Sequence, residues 1–329
     1  MIMTRTALVL GITGGIGGAT ARALLARGWH VRALHREPAR AKASAPSGVE
    51  WLAGDALDRQ AVLQAASGAA VIVHAVNPPG YRNWRGLAVP MLERTIDAAR
   101  ASGARILFPG NVYNFGPDAG STIAENAPQN PLTRKGRIRV AMEARLEAAA
   151  AEGVRSLVLR AGDYFGAGGA WFDGVMVKRG RPPRSVTYPG EPRVGHAWAY
   201  LPDLAETFAR LAERETELGA FERFHFGGHY LAEGIEMAET ILRAAGSPDG
   251  RIRRLPWALL RLASPFHETC RELLEMRYLW RAPLQLDNRK LLAVLGEEPH
   301  TPLEQAVTES LLALGCLPKD AAYRSAASA

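Results

Sequence analysis

The chain has 329 residues, 47% hydrophobic and 22% charged, enough to bury the core of a large α/β domain with a second lobe; this composition excludes a disordered chain. Its formal charge of +7 comes from scattered arginines with no basic run and no aromatic interleaving, which argues against nucleic acid and leaves a solvated surface able to attract a phosphorylated cofactor or acidic substrate. Cys270 and Cys316 lack metal-ligand spacing, the opening residues lack a signal-peptide pattern, and no apolar run reaches the ~18 residues of a membrane helix; reduced thiols, no metal and a cytoplasmic protein away from membranes are expected.

The first apolar run, Ala7 to Leu10, reads as a strand, and Ala19 to Leu25 as a helix ending at Gly28. Between them lies Gly11-Ile12-Thr13-Gly14-Gly15-Ile16-Gly17. Glycine at 11 permits a sharp turn, at 14 a close backbone approach to a pyrophosphate, and at 17 tight packing of helix on strand. The amide end of the helix then faces the phosphates. A plain tight turn is the competing explanation; the position of the pattern, opening a βαβ unit near the start of the chain, favours dinucleotide binding.

A second strand, Trp29 to Leu34, ends in His35-Arg36-Glu37, where an acidic residue holds the ribose hydroxyls of NAD and an arginine the extra phosphate of NADP. Arg36 favours NADP, with NAD as the alternative. A third strand, Val49 to Ala53, leads into Asp55 and Ala56; Asp55 faces the adenine end of a cofactor or caps the next helix, as Asp58 does. The fourth strand, Ala70 to His74, runs into Ala75 and a loop stiffened by Pro78 and Pro79. Gly86 to Ser102 has the spacing of an amphipathic helix, Ala104 to Phe108 that of a fifth strand, Thr133 to Glu152 that of a helix closed by Gly153, and Ser156 to Arg160 that of a sixth strand. This alternation predicts an α/β, doubly wound parallel sheet of the Rossmann type, with ligands at the carboxyl ends of its strands.

Beyond Arg160 the pattern loosens. A short helix is expected over Trp171 to Arg179, no regular element from Arg181 to Val194, a helix over Pro202 to Ala212, a strand over Phe221 to Phe226, and mainly helix thereafter, including Asp287 to Leu295. The expected division is a dinucleotide-binding domain of residues 1–165, joined by 195–228, and a smaller, mostly helical substrate lobe of 166–194 and 229–329.

The motif order resembles the short-chain dehydrogenase/reductase superfamily, in its extended epimerase/dehydratase branch, over nearly the full chain. The resemblance rests on the early glycine pattern, Asp55, His74-Ala75, Val112-Tyr113, Arg160 to Gly166, and Tyr200-Leu201-Pro202-Asp203 before a helix. That branch carries a tyrosine and a lysine four residues apart on the helix after the long loop, and a serine after the fifth strand. Aligning Glu143 with the glutamate that follows the family's lysine puts Lys135 at the tyrosine position and Arg139 at the lysine position, while the serine region reads Phe108-Pro109-Gly110-Asn111.

Lys135 and Arg139 stand one turn apart on one helix face. The reading adopted is that Arg139 binds the cofactor ribose, Lys135 gives or takes the proton, and Asn111 and Tyr113 orient the substrate oxygen. The competing reading makes Arg134, Lys135, Arg137 and Arg139 a solvated basic face. His196, and an aromatic group of Tyr164, Trp171, Phe172 and Trp198, are secondary candidates for the cleft, with core packing as the alternative. The resemblance implies an NAD(P)-dependent oxidoreductase or epimerase/dehydratase-like enzyme acting on a carbonyl or hydroxyl of a small-molecule substrate. It also implies a homodimer pairing helices 86–102 and 133–152, with Ala141, Ala144 and Ala148 permitting close approach. A non-catalytic NADP-binding sensor is the alternative function.

Overall fold

A computed structural model describes residues 5–78, 84–169 and 171–318; Pro79 and Gly80 of the stiff loop lie outside the described residues. In chain order the elements are β1 (Thr6–Leu10), α1 (Gly15–Ala26), β2 (His30–His35), α2 (Pro38–Ala41), β3 (Val49–Ala53), α3 (Arg59–Ala65), β4 (Val71–His74), α4 (Trp84–Ser102) and β5 (Arg105–Asn111). There follow β6 (Thr122–Ile123), α5 (Arg134–Ala150), β7 (Ser156–Ala161), β8 (Asp163–Phe165), β9 (Ser185–Tyr188), β10 (His196–Tyr200), α6 (Leu201–Glu213), β11 (Phe221–His225) and β12 (His229–Leu231). The chain continues through α7 (Glu236–Ala244), β13 (Arg251–Arg254), α8 (Trp257–Ala263), α9 (Glu268–Glu275), β14 (Gln285–Leu286), α10 (Arg289–Leu295) and α11 (Leu303–Ala313).

Seven of these strands form one sheet in the order β11-β7-β5-β4-β1-β2-β3, every pair parallel. The two-residue period of β1 sorts its side chains between two cores. Ala7 and Val9 pack with Leu24 of α1 and Leu204 and Phe208 of α6, whereas Leu8 and Leu10 pack with Val62 of α3, Leu92 and Ile96 of α4, and Met142 and Leu146 of α5. Each fully buried aliphatic side chain contributes about 1.5–3 kcal/mol, so burial on both faces holds the sheet. Strand order reverses between β1 and β4, and the loops that follow the two strands bound a crevice at their carboxyl ends.

Local signals place the helices. Asp58 Oδ1 accepts from the amides of Gln60 (2.9 Å) and Ala61 (3.3 Å) to start α3, and Thr133 Oγ1 accepts from Gly136 N (2.9 Å) to start α5. A third apolar core, containing Phe165, Trp171, Phe172, Trp198, Met237, Trp280 and Leu311, lies around the small sheet β12-β10-β8. Among the described residues no helix is long and apolar enough to cross a membrane.

Several expected elements are corrected. Ser185–Tyr188, inside the stretch expected to be irregular, is a strand paired with Arg251–Arg254; Pro182, Pro183 and Pro189 flank it and leave its β-branched centre free to extend. The fifth strand runs on through Pro109 and Gly110 to Asn111, in register with Leu159, Arg160 and Ala161. Gly110 is required there, because a Cβ would come within 2.7 Å of Arg160 Cγ. The short helix expected over Trp171 to Arg179 forms as a five-residue π-helix, Phe172–Met176, and ends before Val177.

Candidate functional site

The glycine turn between β1 and α1 is tightly determined. Gly11 has φ +89°, and a Cβ there would meet Ala75 O at 2.4 Å; a Cβ on Gly17 would meet Gly11 O at 2.2 Å. Gly14 is open by contrast, its only neighbour Gly11 O at 3.3 Å. No side chain caps α1 and no acidic residue stands in its first turn, so the helix presents amides toward an anion. Thr13 and Gly14 are exposed, Gly15 half-buried and Ile16 buried. These residues fit a dinucleotide pyrophosphate.

The other residues expected to contact a cofactor lie at the ends of neighbouring strands. At the end of β2, His35 Nδ1 accepts from Glu37 N (3.0 Å), and Glu37 pairs with Arg40 (3.4 Å). Arg36 is exposed and carries no ion pair or hydrogen bond among the described residues. Past β3, Asp55 Oδ1 accepts from Leu57 N (2.9 Å) beside half-buried Ala56, and Ala75 continues β4 through its N–H to Leu10 O (2.9 Å).

Helix α5 buries one charged stripe: Lys135, Arg139 and Glu143, spaced by four, are 6%, 8% and 0% exposed. Glu143 lies deepest. It accepts from Arg160 Nη2 (2.6 Å) and Asn114 Nδ2 (2.9 Å), while Arg160 Nη1 donates to His225 Nε2 (3.2 Å). Burial, and then the Arg160 charge, lower His225 to about 3. Arg139 Nη1 donates to Pro109 O (3.1 Å), its guanidinium lies over the rings of Trp84 and Phe108, and its buried Nε has no hydrogen-bond partner among the described residues. Next to it His74 donates or accepts at Thr95 Oγ1 (2.8 Å) and is held neutral, its pKa lowered to about 3 by burial and by Arg139.

Arg139, Asn111 and Tyr113 come together in one cleft, which Asn77, Trp84, Val112, Gly162, Asp163, Tyr164 and Trp171 also line. Asn111 Oδ1 accepts from Tyr113 N (3.0 Å), and the Tyr164 hydroxyl donates to Gly110 O (3.0 Å). Of the aromatic group anticipated from the sequence, Tyr164 and Trp171 face this space, whereas Phe172 and Trp198 are fully buried in the third core. Lys135 lines a neighbouring cavity with Trp84, Ile138 and α9, where its Nζ pairs with Glu272 Oε2 at 2.6 Å. Glu275 accepts from the amides of Arg134 and Lys135, so α9 caps the start of α5.

Residues 7–227 match the NAD dependent epimerase/dehydratase family. The chain belongs to that family. UDP-N-acetylglucosamine 4-epimerase from Bacillus cereus superposes with a TM-score of 0.72 at 15% identity, over 96% of this chain and 98% of its own. The dTDP-glucose 4,6-dehydratase DesIV of Streptomyces venezuelae, a double mutant with NAD bound, gives 0.69 at 17% identity over 94% and 96%. At these identities the likeness is one of fold. A sequence relative, the 3-diazoavenalumate denitrifying reductase of a Streptomyces species, is 35% identical over 133 residues, which is 37% of this chain and 42% of that protein.

Sequence reasoning missed three contributors. Asn77 and Trp84 line the cleft from either side of the fourth strand's loop, and Glu272 meets Lys135 from a helix far along the chain. An amide and an aromatic at a strand end carry no local signature. The glutamates of α9 had one readable sign, an acidic face opposite a basic helix start.

Proposed function

We propose that this family member is an NADP(H)-dependent reductase acting on an electrophilic carbon of a small, aromatic-bearing substrate. The observation that carries this reading is the cleft where Arg139, Asn111 and Tyr113 share walls with Trp84, Tyr164 and Trp171, at the carboxyl ends of the sheet strands. The matched relative from Streptomyces is named a reductase, which supports reduction over epimerisation. Bound NADPH would supply hydride.

The chain's own residues would do the rest. Amides from Gly11 to Gly17, with Thr13 and Ile16, hold the pyrophosphate; Asp55, Ala56 and Ala75 line the adenine and ribose path; His35 and Arg36 take the 2′-phosphate. Arg139, with its unmet Nε donor, binds the nicotinamide ribose. Asn111 and Tyr113 orient the substrate oxygen, and Lys135, released from Glu272, gives the proton that turns the alkoxide formed by hydride addition into an alcohol.

Monitoring NADPH absorbance against a panel of aromatic aldehydes, ketones and nucleotide sugars tests the reading. Steady oxidation with an aromatic carbonyl supports it; oxidation with none returns the chain to an NADP-binding sensor, the reading that the Lys135–Glu272 pair favours. Lys135→Ala abolishes turnover and leaves NADPH affinity nearly unchanged; an active variant removes the lysine from the mechanism. We also propose a homodimer through α4 and α5, on whose outer face Ala141, Ala144 and Ala148 are exposed; a monomeric mass by light scattering at micromolar concentration argues against it.

A further inference from the structure

The pair Asp163–His196 has no part in that scheme, yet Asp163 lines the cleft and His196 lies behind it. Asp163 opens β8 and is 8% exposed, and its Oδ2 lies 2.9 Å from Nε2 of His196, which is 6% exposed on β10. The imidazole is stacked on Trp280 with 3.9 Å between ring centroids and 9° between planes, so it has no freedom to swing away. Backbone geometry fixes the carboxylate as well: a Cβ on Gly162 would meet Ala197 O at 2.2 Å, and Asp163 is in register with Trp198. His196 therefore occupies one carboxylate oxygen from behind.

The other oxygen, Oδ1, carries no hydrogen bond among the described residues. Asp163 lines the cleft and Oδ1 is not enclosed by protein, so a ligand that brings a donor can pair with it. Around it the cleft offers the rings of Trp84, Tyr113, Tyr164 and Trp171. Its one cation, among the lining residues, is Arg139, already engaged with Pro109 O and two aromatic faces.

We infer that Asp163, positioned by His196, determines substrate specificity: it accepts a hydrogen bond from a hydroxyl, amino or cationic nitrogen borne by an aromatic ring, and turns away rings bearing a carboxylate or phosphate. Asp163 touches the substrate; His196 acts through it. The inference rests on the reading of this cleft as the substrate site.

Calorimetry with benzylamine, benzyl alcohol and benzoate tests it on wild-type protein, with and without saturating NADPH. The expected order is amine, then alcohol, then carboxylate, with the amine about tenfold to a hundredfold tighter than benzoate. Asp163→Asn, which keeps the shape and loses the charge, erases the preference for the amine while NADPH affinity stays within threefold. His196→Gln, which keeps a donor to Asp163, retains the order, and His196→Ala weakens it. Benzoate bound as tightly as benzylamine, no probe bound by the wild type, or an Asp163→Asn variant that retains the amine preference overturns the inference. Should a variant not fold, the wild-type ranking decides. Failure of NADPH to bind counts against the proposed function, whereas the ranking without NADPH still decides the role of Asp163.

Discussion

Placing a single methyl group on Gly17 tests the cofactor turn directly. Its Cβ would lie 2.2 Å from Gly11 O and 3.2 Å from Ala75 Cβ, where ordinary contact begins near 3.4 Å, so α1 and β1 must separate by about 1.2 Å. Gly11 cannot yield: its carbonyl accepts from Gly14 N at 3.0 Å, and Ala75 stands so close that a Cβ on Gly11 would lie 2.4 Å from Ala75 O. The displacement therefore falls on the amide end of α1. Overpacking of this kind costs about 1–3 kcal/mol of stability. Misaligned amides also lose hydrogen bonds to a charged phosphate, worth about 1.5–3 kcal/mol each, so Gly17→Ala should weaken NADPH binding roughly tenfold to a hundredfold. Gly14→Ala supplies the contrast. Its Cβ has one neighbour, Gly11 O at 3.3 Å, so the fold should lose less than about 0.5 kcal/mol, while the methyl projects into the space a phosphate would enter and affinity still falls. Titration of NADPH fluorescence and urea unfolding measure the two effects separately. A Gly17→Ala protein with wild-type affinity and an unchanged urea midpoint would refute the reasoning.

Arg36→Ala should weaken NADPH binding about tenfold or more and leave NADH within threefold, since the exposed guanidinium has no partner to lose within the described protein; equal loss for both nucleotides would disprove its role in selectivity. Glu143→Gln leaves the buried Arg160 guanidinium without its counter-charge and should destabilise the chain by about 3–5 kcal/mol in urea unfolding; a change under 1 kcal/mol would show that Glu125 O and His225 suffice. His74 and His225, held at about 3, and His229, at about 4, stay neutral in the folded protein while the unfolded chain protonates below 6.5, chiefly because burial penalises the imidazolium. The unfolded state then binds more protons, so stability falls as pH drops from 6.5 toward these values, by at most about 1.4 kcal/mol per pH unit for each histidine. A urea midpoint constant between pH 7.5 and 5.5 would contradict this.

The parts of the fold legible in the sequence were those written in local periods. The apolar run of β1, the cap at Asp58 and the spacing of Lys135, Arg139 and Glu143 each depend on neighbours within a few residues. β9 was obscured because the prolines bounding it dominate its composition, and the full length of β5 was hidden behind a Pro-Gly pair that reads as a turn. Within the candidate site, the glycine turn could be read in full. The Asp163–His196 contact could not, since parallel pairing of β8 with β10 joins residues 33 positions apart, and neither residue type implies the other.

The carboxylate of Glu275 that caps the first amides of α5 belongs to a residue 141 positions further along the chain. A growing polypeptide that has emerged as far as α5 has the local Thr133 cap but still lacks this second cap on the helix bearing Lys135 and Arg139. The full capping of α5 is thereby deferred until translation is well past the last strand of the seven-stranded sheet.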